Sequence, residues 1–162
     1  MIADIFNKQE QAHSWIQQHK LKCEEFWTHF SVHKGNHQSA TIFVLAEGSL
    51  YIMGMKGFGL TIYHPLAFQP SEKVKELIET KLPFRMIQSH QTGEYRADVH
   101  FLLVDEDPLS KQEAVRIMHS RFWKSLSSNQ AYVTEAKWNF DDPITMDQLL
   151  IQLPRILQTC NI

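Results

Sequence analysis

Asp98 and His100 stand two residues apart in the run YRADVHFLLVDEDP, residues 95–108. On an extended strand alternate side chains share a face, so the carboxylate and the imidazole lie side by side with Cα atoms about 7 Å apart. Such a pair can hold a divalent metal if a neighbouring segment adds a third ligand, and a metal there could bind and polarise a phosphodiester. His90 and Glu94 lie across a predicted hairpin and are the candidates to supply it. The alternative is that Asp98 and His100 are polar residues at the end of the sheet, hydrogen-bonded or solvated.

The Asp-x-His spacing resembles in part the His-x-His pair that rolling-circle replication initiators and relaxases carry on a central strand. Here Asp98 replaces the first histidine, and the available tyrosine, Tyr132, lies on a predicted strand rather than on a following helix. Primases of the archaeal-eukaryotic type use paired strand aspartates, of which Asp98 matches one. These resemblances imply a metal-dependent nucleic-acid-processing enzyme using Asp98, His100 and Tyr132, with His90 and Glu94 as further metal ligands.

Other reactive residue types form no complete constellation. His29 and His33 share a face of a predicted strand, with His37 in the loop beyond. Two histidines four apart on a strand are about 13 Å apart at Cα, too far to chelate one ion. Cys23 and Cys160 make neither a CxxC motif nor a disulfide framework. Glu24 and Glu25, which follow Cys23, raise a thiol pKa rather than lower it. No G-x-S-x-G elbow is present. MGMKGFG, residues 53–59, lacks the spacing of either glycine-rich phosphate-binding motif and reads as a tight turn in which backbones approach closely. The carboxylates of DEDP, residues 105–108, sit at a predicted helix N-terminus, where negative charge is favourable.

The aromatic and thioether residues suggest a binding surface instead. Trp27 falls on the polar face of its predicted strand beside His29, and Trp123 falls off the apolar stripe of its helix. With Met53, Met55 and Phe58 they form the candidate patch for a partner protein.

These residues need elements to position them. Asn7 and Glu10 open a first helix ending near Lys22. Strands are expected at 26–33, 40–46, 49–55 and 58–64, the second and third joined by Glu47-Gly48. Ser71 caps a helix with Val74, Leu77, Ile78 and Leu82 on one stripe. Segments 84–90 and 95–104 flank a glycine-containing turn as a hairpin. Asp107 caps a helix with Pro108 at its first position. Residues 131–138 alternate as a strand, and a final helix starts near Thr145 and carries Pro154. The expected fold is α+β: an antiparallel sheet of ferredoxin-like βαββαβ order over residues 58–138, preceded by a helix and β-meander and followed by a C-terminal helix. Residues 1–162 then form a single domain, with 1–57 as the N-terminal part and 58–162 as the core. A competing arrangement is one continuous antiparallel sheet from 26 to 138 with all helices on one side.

A chain of 162 residues with a net charge of −2 is large enough for an ordinary core and argues against non-specific nucleic-acid binding. No basic segment precedes an apolar run at the N-terminus, and no window approaches the length of a membrane span, so the cytoplasm is the expected location. The leading functional expectation is a non-catalytic binding protein without cofactor, an adaptor, inhibitor or chaperone-like module acting on another protein or on itself. The alternative is the divalent-metal enzyme. A third reading is a small-molecule sensor between the meander and the helices.

Overall fold

A computed structural model describes residues 8–31, 38–127 and 130–158. The first element is a helix, α1 (Gln9–Ser31), that runs through the segment expected to be a strand. Alternation at 26–33 is a short window. Over the longer one, His19, Cys23 and Trp27 recur every four residues and are buried on one face, and no Gly or Pro interrupts residues 8–31. The expected Asn7 cap and His33 lie outside the described residues.

Two strands follow, β1 (Ser39–Ala46) and β2 (Ser49–Met53), joined as expected by Glu47-Gly48. Both turn residues have positive φ, 51° and 71°, the geometry whose twist matches a two-residue hairpin. Residues 58–64, also expected to be a strand, instead form a short helix, α2 (Phe58–Ile62), which buries Phe58 and Ile62, four residues apart. Seven apolar-rich residues carry either period; the reversal at Gly57, φ 53°, sets this one.

The chain continues through β3 (Gln69–Pro70), α3 (Glu72–Glu79), β4 (Phe84–Ile87), a 3-10 turn (Ser89–Glu94) and β5 (Val99–Val104). Then come α4 (Pro108–Met118), α5 (Arg121–Lys124), β6 (Ala131–Glu135), a second 3-10 turn (Ala136–Asn139) and α6 (Pro143–Gln158). Three caps are those of the sequence or close to them. Asp107 accepts from the Ser110 N–H with Pro108 behind it. Ser71 precedes α3, although its hydroxyl accepts from Thr41 instead of capping. Asp142, not Thr145, caps α6 by accepting from Ile144 and Thr145 N–H.

The sheet overturns the ferredoxin-like expectation. Its order is β4-β2-β1-β5-β6, with β3 beside the start of β1. β1 pairs parallel with β3 and β5, and β5 pairs parallel with β6, whereas β2 is antiparallel to both β1 and β4. Segments 84–87 and 99–104 are therefore not a hairpin. The turn between them is closed locally, as Gln88 and Gln91 exchange side-chain and backbone hydrogen bonds. The continuous antiparallel alternative fails for the same reason: its centre is parallel.

Helices cover both faces, not one. On one face Phe101 packs against Phe58, Phe68 and Tyr132, and Phe68 against Trp27 of α1. On the other His100 stacks on Phe43 and meets Phe122 edge-on. Interior parallel strands must be apolar on both faces, which is why residues 40–46 and 99–103 read as continuous runs. No described helix is long and apolar enough to cross a membrane.

Candidate functional site

The expected metal set does not converge. Asp98 lies one residue before β5 and is exposed; its carboxylate accepts from the Ser39 backbone N–H at 2.7 Å and the Ser39 hydroxyl at 2.8 Å. Those two bonds hold its pKa below the usual carboxylate range. His100 is buried in the core, at 1% exposure. Its Nε2 accepts from the Ala97 N–H, so Nδ1 carries the proton. His90 and Glu94 are exposed on the 3-10 turn, and among the described residues no group of three His, Cys, Asp or Glu can hold a metal. Tyr132 is on a strand as expected, buried and stacked on Phe101.

Burial pushes the His100 pKa down to about 4 from its ordinary 6.5; hydrogen bonds oppose this only in part. The sign follows from linkage. The folded imidazole binds its proton less readily than the unfolded one, so its contribution to stability is complete above pH 6.5 and is lost as pH falls toward 4. The shift corresponds to about 3 kcal/mol. His100→Phe should flatten the decline in urea-unfolding free energy over that window relative to the native chain. Equal slopes for the two proteins would refute the assignment.

The expected interface residues scatter. Trp27, Met53, Phe58 and Trp123 are buried, whereas His29 and Met55 are exposed on different elements. Cys23 lies within α1, not after it, and with His19 is buried in a chain of contacts that reaches the half-buried Asp147: Cys23 Sγ is 3.4 Å from His19 Nε2, and His19 Nδ1 is 3.0 Å from Asp147 Oδ1. Burial, then Asp147 and Glu24, push the thiol up to about 11, so it is neutral and this chain ties α1 to α6 rather than arming a nucleophile. Cys160 and His37 lie outside the described residues.

What the fold does assemble is a cleft at the carboxyl ends of β1, β5 and β6. Ligands bind at this edge in open α/β sheets because loops diverge there from a rigid parallel core. A cavity of about 410 Å³ is lined by Tyr51, Met53, Phe84 and Phe140 with Glu47, Lys56, Asp105, Asn139 and Asp141. A second, of about 500 Å³, adjoins it and shares Val44, Ala46, Asp105, Asn139 and Phe140. Phe140 is 64% exposed, and Phe84 meets Tyr51 edge-on at 5.7 Å. Apolar walls with a few polar groups are the usual composition of a small-molecule site.

Its loops are fastened from below. Glu47 N–H donates to Asp107 Oδ2 at 3.2 Å and Gly48 N–H to Ser110 Oγ at 3.0 Å, so the helix cap also fixes the hairpin turn. Asn139 Oδ1 accepts from Phe58 N–H at 3.2 Å, and a Cβ on Gly57 would land on the Asn139 backbone. Gly59 packs against the Gly54 carbonyl in the same way, so MGMKGFG is the close-approach turn expected of it. Sequence reasoning missed Tyr51, Phe84 and Phe140 as site residues. The signal was available in Glu47 and Asp105, which end two apolar runs, but it has meaning only once those runs are known to be parallel.

No family model matches the chain, and no curated protein matches its sequence. Solved structures do match. FhuD2 of Staphylococcus aureus with bound ferrioxamine B superposes with TM-score 0.81 at 14% identity, over 99% of this chain and 63% of that one. S. aureus SirA complexed with staphyloferrin B gives 0.76 at 18%, over 96% and 58%. A FhuD fold-family protein of Bacillus subtilis, described as a periplasmic binding protein component of a Fep/Fec-like ferrichrome ABC transporter, gives 0.73 at 19%, over 98% and 61%. The chain thus spans about three-fifths of the length of these structures, and at such identities the likeness establishes the fold. It is the FhuD fold with a mixed sheet, not a ferredoxin-like one. The neighbours also overturn the adaptor and nucleic-acid-enzyme readings, with the protein partner and cytoplasmic location attached to them. Two of them were solved with a small molecule bound, ferrioxamine B or staphyloferrin B, and the third is described as a periplasmic transporter component.

Proposed function

We propose that this chain is one lobe of a FhuD-type binding protein and that a siderophore rests on the cleft at the carboxyl ends of β1, β5 and β6. One observation carries the reading: the fold shared with siderophore-bound structures opens a cavity of ligand size at the edge where such folds take ligands. Tyr51, Phe84 and Phe140 supply flat apolar surface to the organic shell of the chelate, and Asn139 and Lys56 supply polar contacts to its rim.

The test is a titration of the ¹⁵N-labelled chain with gallium(III) ferrioxamine B, a diamagnetic stand-in for the iron chelate. Amide shifts should cluster at residues 46–56, 104–106 and 135–141. Phe140→Ala, on an exposed side chain, should weaken binding about tenfold while leaving the fold intact. If neither this chelate nor gallium(III) staphyloferrin B moves those amides at millimolar concentration, the reading is wrong.

A further inference from the structure

Away from the cleft, and whatever binds there, two metal-binding side chains converge between α1 and α6. His19 and Cys23 are four residues apart, so they share one face of α1. Cys23 Sγ lies 3.4 Å from His19 Nε2, and each residue is 6% exposed. The imidazole is fixed from behind. Asp147 Oδ1 accepts from Nδ1–H at 3.0 Å, which leaves the Nε2 lone pair facing the sulfur. Asp147 is itself held: burial works against its ionisation, but bonds from His19, Lys22 and Trp15 outweigh this and keep it a carboxylate. The Trp15 indole covers the His19 ring, stacked on it at 4.9 Å. A carboxylate that sets the tautomer of a histidine and raises its basicity is the usual support of a metal-ligating imidazole.

We propose that His19 Nε2 and Cys23 Sγ bind one soft monovalent cation, copper(I) or silver(I). Thiolate sulfur beside imidazole nitrogen suits such an ion. Charge and ligand count decide the class. Without the ion Cys23 is a neutral thiol. On binding, its S–H proton leaves to solvent, a sulfur–metal bond replaces it, and no electron is transferred. Thiolate and monocation cancel, so the buried pair gains no net charge. Asp147 is already balanced by Lys22 at 2.9 Å, so a dication would leave an uncompensated positive charge. Zinc would also need four donors, whereas among the described residues no group of three His, Cys, Asp or Glu can hold a metal. With bond lengths near those of zinc, about 2.3 Å to sulfur and 2.0 Å to nitrogen, the donors need part by only about 1 Å to take the ion in line. The Asp147 side chain is 30% exposed, so the pair lies one side chain below the surface and the ion has a short way in.

Cys160 is a second thiol, so the experiment uses the full chain carrying Cys160→Ser. Copper(I) is titrated without oxygen against a chromogenic copper(I) chelator, and the His19 ring nitrogens are followed in ¹⁵N-labelled protein. One equivalent should bind, the Nε2 signal should move, and zinc(II) should bind at least about 100-fold more weakly. Cys23→Ser should lose that equivalent. Asp147→Asn should weaken binding about 10–100-fold, the usual cost of removing such a carboxylate. Lys22→Met cuts the other bond from α1 to Asp147 and touches neither donor, so it should change the affinity less than about threefold. The pair of variants separates a carboxylate acting on the imidazole from one that merely joins two helices. Undiminished binding in Cys23→Ser, zinc binding as tight as copper(I), equal losses from Asp147→Asn and Lys22→Met, or a His19 Nε2 signal that copper(I) leaves in place overturns the proposal. The last of these is read on the native cluster and decides the matter where Cys23→Ser fails to fold.

Discussion

Trp27→Ala should unfold at a midpoint about 10 °C or more below the native chain, a loss of about 3–5 kcal/mol. The indole is 1% exposed and bridges two layers. Its ring meets Phe26, Phe30 and Phe68 edge-on at 5.0–5.9 Å, and Phe68 in turn packs on Phe101 at the centre of the sheet. Its Nε1 donates to the Thr61 carbonyl at 3.1 Å, joining α1 to the short helix α2. Truncation leaves a cavity between helix and sheet and a buried carbonyl without its donor, and both costs fall at once. Trp27→Phe separates them: the ring area is largely kept, the hydrogen bond is lost, and the cost should be about 1–2 kcal/mol. Were Trp27 a surface anchor for a partner, as strand alternation predicts, alanine there would change stability by no more than about 0.5 kcal/mol.

The same residue shows where sequence reading stops. In an eight-residue window Phe26, Thr28 and Phe30 alternate with Trp27 and His29, and a strand results; the helix is visible only when His19, Cys23 and Trp27 are read together. Local chemistry was legible wherever one or two residues decide it. The Glu47-Gly48 turn, the Asp107-Pro108 helix start and the close approaches within 53–59 all follow from φ preferences, a missing N–H or the lack of a side chain. Strand order was not legible. β1 finds its parallel partner β5 some sixty residues away, and nothing in either sequence names the other. Because the cleft is defined by the common direction of β1, β5 and β6, its residues could not be singled out either. Asp105 read as helix-start charge, and Phe140 drew no reading of its own. His100 misled for a related reason: alternation assigns a side chain to a face, but a strand buried on both faces has no wet one.

Gly57→Ala should cost about 2–4 kcal/mol and should also abolish the binding proposed for the cleft. The residue has φ 53°, which an L side chain seldom adopts, and the added Cβ would overlap the backbone of Asn139. Neither problem relaxes cheaply, because the atom in the way is a carbonyl rather than the end of a flexible side chain. Residues 136–140 would have to retreat, breaking the bond from Phe58 N–H to Asn139 Oδ1 and carrying Phe140 away from Tyr51 and Phe84. Gly93→Ala is the control. It sits in the 3-10 turn, where a Cβ would meet only Phe122 Cδ2 at 4.0 Å, an ordinary contact, and its free energy should change little. Urea unfolding checks the stability difference, and amide spectra of the two variants check the loop. Gly57→Ala should displace the signals of 136–141 and Gly93→Ala should not. A Gly57→Ala protein of native stability, with those signals unmoved, would mean that the wall of the cleft is not seated on this glycine.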